Sequence, residues 1–388
     1  MTSRLLPNWL KAYLVYTADS ESPEVYHRWV GISCIAAVLR RRVFFDMGYF
    51  LLYPNMYIVL VGPAGRCKKS TAMRIGKNIF TATPDIEFSA DSTTRERFIQ
   101  DLQMAHKNGE SAITVHSTEF ASLLSSSGMD MVVFLTDIFD CPPDWQHKTK
   151  IGGTNKIVGP YLNLLGATTP DWIAKAMPLD TIGIGLTSRI VFVYADTPRV
   201  RPWRPVLSEA QNKIRDMLIH DMSLIATTQG EFQFTPEADG IYDEWYKSRL
   251  EMPNPTGDPR LNGYYERKPI HLIKLAMIVA VSHRDGTQIL PSDVTEAMGI
   301  MEDAEQHMPA VFANVGKNPL SVDIEEIQKA IFSHAKEGLG IGDLMGMFKH
   351  SVRKDELVEV LDALNIMGRI VIRPVGDPPH QRMKYFPS

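Results

Sequence analysis

The stretch from Met56 to Phe80 constrains this chain more than any other. An apolar run, Met56-Tyr57-Ile58-Val59-Leu60-Val61, leads into Gly62-Pro63-Ala64-Gly65-Arg66-Cys67, then into Lys68-Lys69-Ser70-Thr71 and a helical pattern over 72–80. A short apolar run rich in β-branched residues, closed by glycine and proline, reads as a buried strand. Strand, glycine turn, lysine beside hydroxyl and helix together form the arrangement of a phosphate-binding P-loop. The chemistry explains the residue types. Glycines let backbone N–H groups turn inward, and a helix N-terminus adds partial positive charge. A lysine reaches the β- and γ-phosphates, and a hydroxyl holds Mg²⁺.

The spacing admits two registers. Counted from Gly62, Lys68 falls on the lysine position, but Cys67 stands where the preceding glycine is expected and Lys69 where the hydroxyl is expected. Counted back from Ser70, Lys69 is the lysine and the loop holds one extra residue. The second register keeps the lysine next to its magnesium hydroxyl and is preferred. Gly62 through Thr71 is the expected nucleotide-binding segment, with Ser70 as the expected metal ligand.

At 388 residues the chain is long enough for two or three domains. Its formal net charge of -4 gives no global basic signal, so any nucleic-acid contact must come from local patches. Three cysteines, Cys34, Cys67 and Cys141, are far apart and in no metal spacing, which predicts a reducing compartment. No leader pattern opens the sequence and no apolar run reaches membrane-spanning length, so a soluble, cytoplasmic protein without membrane contact is expected.

Residues 1–55 read as a mainly helical segment that ends in Arg40-Arg41-Arg42. These arginines suit a helix C-terminus as well as a nucleic-acid patch. Past the P-loop, apolar runs over 86–89, 112–116, 161–167 and 190–194 alternate with helical patterns, which predicts a parallel sheet covered on both faces. The second run near 112–116 ends in Ser117-Thr118-Glu119. Glu119 stands where a carboxylate would activate an attacking water, although Thr118 replaces the aspartate expected before it. The run at 161–167 ends in Thr168-Thr169. Arg189 comes immediately before the last run. That order resembles AAA+ ATPases, in which a polar strand end senses the γ-phosphate and an arginine completes the neighbouring subunit's site. Thr168 or Thr169 is the candidate sensor, and Arg189 the candidate finger.

Between these strands, Cys141-Pro-Pro-Asp-Trp145 and the stretch Lys148 through Lys156 form an expected Gly/Lys-rich loop, read as a hairpin. Lys148, Lys150 and Lys156 in it are candidates for touching DNA phosphates, or are simply exposed. The Pro-rich 199–205 segment closes an ATPase core over 56–205. Helical patterns over 206–315 suggest a lid, where Arg267 is either a second γ-phosphate sensor or part of a surface charge cluster. Residues 320–388 read as three helices and a β-hairpin, a winged helix. Its third helix carries Asp355, Glu356, Glu359 and Asp362 and is too acidic to read a major groove. The basic side chains lie on the wing, so the module contacts DNA through the wing or binds protein.

Several stretches together resemble a family of phage and prophage P-loop proteins, often encoded beside primase-polymerases and regarded as helicase-like ATPases. They are Leu6-Pro-Asn-Trp-Leu, Tyr26-His-Arg-Trp, Pro54-Asn-Met-Tyr-Ile-Val-Leu-Val-Gly-Pro, Asp91-Ser-Thr-Thr-Arg, Ser117-Thr-Glu-Phe, the segment from Leu162 through Trp172, and Gly185-Leu-Thr-Ser-Arg. The resemblance covers residues 5 to about 200. It implies an AAA+-like α/β fold and a homo-oligomeric ring, expected to be a hexamer. It further implies ATP and Mg²⁺ at subunit interfaces, movement along single-stranded DNA, and a primase-polymerase as a candidate partner. The alternative is a regulatory or helicase-loader ATPase whose winged helix recruits a partner.

Overall fold

The computed structural model of the chain describes residues 3–388 except 84–85, 91–92, 126–127, 150–152, 177–184, 202–203, 252, 314, 316–319, 350–351 and 377–380. The chain divides into two compact units, 1–315 and 316–388. It is an α/β protein with mixed sheets.

The larger unit is built on a five-stranded sheet. Its order is His106–Lys107, Glu110–Ser117, Pro160–Thr168, Tyr57–Val61, Ile190–Tyr194. The last four strands run parallel, and only the short edge strand is antiparallel. Tyr57–Val61 and Pro160–Thr168 are buried at every residue, as expected of strands covered on both faces. The expected strand at 86–89 forms only an isolated parallel bridge, Phe88 to Thr114. The polar residues beside Phe88 leave too little apolar surface there for a longer ladder.

Residues 1–55 and 206–315 do not stand apart from the sheet; one hydrophobic core runs through all three segments. The helix Glu24–Leu39 is buried nearly all round, so it lies inside the unit and not on its surface. Within the stretch expected as helical, Gly230–Phe234 is a strand. It pairs in parallel with Val43–Asp46 and with Gln288–Ile289, in a second sheet that also holds Leu51–Leu52. Sequence distance hid the pairing with Val43–Asp46, which lies almost two hundred residues away. The helix Asn262–His283 starts a full two turns before Pro269, which it carries internally. Arg40–Arg42 ties the sheet together: the Arg41 guanidinium donates to the Cys141 carbonyl at 2.8 Å and the Tyr53 hydroxyl at 2.9 Å, and Arg40 pairs with Glu110 at 3.6 Å.

The smaller unit packs helices Leu320–Ser333, Ile341–Phe348 and Lys354–Ile366 around its own apolar cluster. A three-stranded antiparallel sheet, in the order Leu339–Gly340, Arg382–Pro387, Ile370–Val375, completes it. Among the described residues no helix is long and apolar enough to cross a membrane.

Candidate functional site

Three parallel strands deliver their C-terminal ends to one place. Val61 pairs with Thr168, and Ser117 with Gly166, so the chains leaving all three strands emerge side by side. The strand before the turn lies centrally, between one neighbour that precedes Thr168 and another that follows Arg189. In open parallel sheets, ligands bind outside the carboxyl ends of the strands at such a point of reversal. A cleft of about 590 Å³ lies there, lined by Ala64, Gly65, Lys68, Lys69, Ser70, Thr118, Glu119, Ala121, Ala167, Thr168, Thr169 and Trp172.

The turn is held from both ends. The Tyr26 hydroxyl donates to the Val61 carbonyl at 2.6 Å and sits 2.9 Å from the Ala195 carbonyl. A Cβ on Gly62 would come within 2.3 Å of the Ala195 oxygen and 2.5 Å of the Tyr26 hydroxyl, so only glycine fits this approach. Pro63 continues the turn, and Ala64, Gly65 and Arg66 are exposed at its tip, Gly65 with φ +70°. Cys67 is fully buried and anchors the loop in the core; burial pushes its thiol pKa up. At the other end, Ser22 donates to the Lys68 carbonyl at 2.9 Å, and the helix Lys69–Phe80 begins.

The two lysines are now distinct. Lys68 is left-handed, with φ +48° and ψ +42°, and its ammonium turns out toward Glu21 at 3.6 Å. It thus adopts, immediately before Lys69, the backbone conformation that a glycine takes without strain. Lys69 folds over the loop, and its Nζ donates to the Gly62 carbonyl at 2.6 Å and the Pro63 carbonyl at 3.2 Å. Burial lowers the Lys69 pKa, with electrostatic contact to Cys67 and Glu119 opposing it. Ser70 is exposed to the cleft, in the first turn of the helix. Thr71 donates its backbone N–H to the Lys68 carbonyl at 3.0 Å.

Glu119 lies exposed two residues beyond its strand, and its carbonyl accepts from the Ser122 N–H at 2.8 Å. Among the described residues the buried Ser117 Oγ meets no hydrogen-bond partner. Thr168 is buried at its strand end, and its carbonyl accepts from the Gly62 N–H at 3.4 Å. Thr169 Oγ1 accepts from the Trp172 N–H at 3.4 Å, which starts the helix Pro170–Ala176. Among the described residues no group of three His, Cys, Asp or Glu side chains is placed to hold a metal ion. One hydroxyl and one carboxylate suit a cation that arrives with a polyphosphate, not one held by protein alone.

Arg189 and Arg267 are not in this cleft. Ile190 pairs with Tyr57, so Arg189 sits at the opposite end of the central strand from Gly62. Both arginines converge on one carboxylate: Asp140 accepts from Arg189 at 2.7 Å on one oxygen and from Arg267 at 2.9 Å on the other. Lys274 stands behind them, fully buried, donating to Asn55 Oδ1 at 2.7 Å with its ammonium 4.0 Å from the centre of the Phe139 ring. Burial lowers the Lys274 pKa to about 8. Burial also raises the Asp140 pKa, but the Arg189 hydrogen bond and the charges of Arg189, Arg267 and Lys274 outweigh it and hold the carboxyl below its usual range. Arg267 stands beside Arg189 on Asp140 and does not line the Lys69 cleft. His271 is a core histidine, its Nε2 3.0 Å from the Ser188 carbonyl and its pKa lowered by burial to about 3.

In the hairpin Asp144–Thr149 and Gly153–Val158, Lys148 is exposed and Lys156 pairs with Asp144 at 2.9 Å. Lys150 lies outside the described residues. Sequence reasoning missed two positioning side chains. Tyr26 belongs to a helix far upstream of the loop it clamps, and nothing in its local pattern signals this. Asp140 lies between apolar and proline-rich stretches, where a lone carboxylate reads as a turn residue.

Compared with known proteins, the chain matches no family model and no curated sequence.

Proposed function

We propose that this chain is a P-loop ATPase of AAA+-like architecture that uses ATP to unwind or move along DNA, as in phage-type replication. One observation carries the proposal: Lys69, Ser70, Glu119 and Thr168, from three adjacent strand ends, line a single cleft. In the proposed site the Lys69 ammonium exchanges its loop carbonyls for β- and γ-phosphate oxygens. A charge-assisted bond to phosphate is stronger than one to a neutral carbonyl. Ser70 supplies a hydroxyl oxygen to the Mg²⁺ of the nucleotide, which neutralises charge on the phosphates. Glu119 orients and polarises the attacking water, a role worth about 10²–10⁴ in rate. Thr168 or Thr169 senses the γ-phosphate.

The arginines support a ring. Four residues of strand separate the Arg189 end from the loop end, roughly 13 Å of extended backbone. Within one chain Arg189 cannot touch the phosphates its own loop binds, whereas a neighbour's phosphates are open to it. An arginine acting across subunits adds about 10³–10⁵ to turnover in related chemistry. The exposed hairpin with Lys148 is the proposed contact with single-stranded DNA, and a primase-polymerase is the proposed partner.

The 316–388 unit, proposed as a winged helix, favours a second reading for part of the molecule. Ile366 is 85% exposed and Met367 58% exposed at the end of an acidic helix, which suits a protein partner better than a phosphate backbone. A helicase-loader or regulatory ATPase is the reading this supports. Forked-DNA unwinding with ATP separates the two, together with ATP turnover with and without single-stranded DNA and sizing with and without nucleotide. Turnover that ignores single-stranded DNA, in a chain that stays monomeric, refutes the motor.

A further inference from the structure

The turn between Val43–Asp46 and Leu51–Leu52 carries apolar surface that no role described above uses. All six residues from Asp46 to Leu51 are exposed. Four of them, Met47, Tyr49, Phe50 and Leu51, are large and apolar, and Tyr49 is fully exposed. A continuous exposed patch of this kind marks a contact site. The turn itself is well held. The Met47 N–H donates to the Phe50 carbonyl at 3.0 Å and the Gly48 N–H to Asp46 Oδ1 at 2.7 Å, with Gly48 at φ +81°. Gly48-Tyr49 is thus a two-residue connection that starts with the glycine such turns favour. At the base, the Arg41 guanidinium lies 4.1 Å from the centre of the Tyr53 ring and donates to the Pro160 carbonyl at 3.1 Å. Pro160 opens the strand that ends in Thr168, so the hairpin is rooted at the end of the sheet opposite the Lys69 cleft.

The same unit carries a complementary hollow. A cleft of about 420 Å³ lies between the helices Trp9–Tyr16, Glu24–Leu39 and Pro291–Glu305, where Leu10, Leu14 and Ile300 give it apolar walls. Among the described residues it shares no lining with the Lys69 cleft. Gly299 keeps it open: among the described residues, no atom beyond its chain neighbours and its own helix backbone lies within 4 Å of where a Cβ would stand. The charges match as well. Asp46 is the one charged side chain of the 46–51 tip. In the cleft, Glu296 pairs with His283 at 3.1 Å and Arg28 with Asp303 at 3.1 Å, so the exposed Lys11 is the cation that meets an incoming carboxylate. A phosphate backbone or an anionic lipid surface finds no cation on the tip, and Asp46 repels both.

We propose that the 46–51 tip of one copy of this chain seats Tyr49 and Phe50 between Leu10, Leu14 and Ile300 of a second copy, with Asp46 against Lys11. Aromatic anchors in apolar pockets carry most of an interface's affinity, and a preformed turn lowers the cost of ordering them. Tip and cleft are different surfaces, so the contact is head-to-tail. Each bound copy keeps a free tip or a free cleft, and association continues into a ring or a filament. The contact lies away from the Lys69 cleft and needs no nucleotide.

Sedimentation velocity of the full-length protein without nucleotide, over a range of concentrations, tests this. The wild type should associate beyond a dimer. The tip variant Y49S/F50S, altered only at exposed positions, should associate at least about tenfold more weakly. Gly299→Leu, which fills the cleft and improves helix propensity, should do the same. An equimolar mixture of the two variants decides the geometry. The tip variant still has its cleft and the cleft variant still has its tip, so the mixture should form dimers and nothing larger. Lys69→Ala should associate as the wild type does. A wild type that stays monomeric overturns the contact, as do variants that associate normally or a mixture that fails to pair. Assembly that appears only with ATP, and that both variants leave untouched, overturns this contact and leaves the ATPase reading standing.

Discussion

Gly62→Ala tests whether the loop is held by the contacts described. The added Cβ would sit 2.3 Å from the Ala195 carbonyl oxygen and 2.5 Å from the Tyr26 hydroxyl. The first neighbour is backbone and cannot rotate away. It belongs to Ala195, whose N–H already donates to the Val61 carbonyl at 3.1 Å. Restoring van der Waals distance requires a movement of roughly 1 Å, and overpacking against a fixed neighbour costs about 1–3 kcal/mol. The upper half of that range is expected here, which lowers Tm by about 5 °C in a unit of this size. Function should suffer more than stability. The Gly62 carbonyl is the 2.6 Å acceptor of Lys69, and a misplacement of about 1 Å can cost some 10²-fold in rate. Tyr26→Phe alone should cost about 1 kcal/mol, because the Val61 carbonyl keeps its bond from Ala195. The double variant G62A/Y26F should be less destabilised than the sum of the singles by about 0.5–1 kcal/mol, since one of two clashes is removed. Gly65→Ala is the control: among the described residues no atom beyond its chain neighbours lies within 4 Å of the added Cβ, and its φ of +70° opposes the change by about 1 kcal/mol. Thermal melts and ATP turnover measure all four. A Gly62→Ala protein as stable and active as Gly65→Ala refutes the argument.

Lys69→Ala should abolish measurable nucleotide binding by calorimetry, whereas Lys68→Gly, which relieves a left-handed lysine, should retain it; the reverse pattern assigns the phosphate to Lys68. Glu119→Gln should bind ATP and stall by about 10²-fold or more in turnover. Arg189→Ala and Arg267→Ala should each keep nucleotide affinity and lose turnover in the assembled protein, and normal turnover in either removes that arginine from the chemistry. His283 binds a proton more tightly folded than unfolded, its pKa raised to about 9 by the hydrogen bonds it donates to Asp293 and Glu296. Its stabilising contribution is therefore complete below the unfolded value of about 6.5 and is lost as pH rises through 9. Melts of wild type and His283→Gln should converge above that pH, and a constant gap would show that proton binding is not the cause.

The parts of the site closest in sequence were the most legible. An apolar run followed by glycine and Lys-Ser is a local signal, because both the strand and the helix start depend on residues within a few positions of the loop. The strand-end groups Glu119 and Thr168 were legible for a related reason: polar residues that close a buried run must emerge at a sheet edge. Legibility failed at Gly230–Phe234, whose partners are remote, and at 86–89, where one bridge forms instead of a strand.

By itself the sequence determined the buried parallel strands, the glycine turn, the helix after it and the residue types available to a phosphate. Periodicity and backbone freedom decide those over short distances. Only the tertiary structure decided which lysine faces the loop, because both registers satisfy the same local spacing, and the outcome depends on the left-handed turn at Lys68 and its tie to Glu21. It alone decided that Arg267 stands with Arg189 on Asp140, and that Tyr26 clamps the loop. Charge pairing and burial between remote segments are set by how the sheet and helices pack, and no stretch of chain carries that information alone.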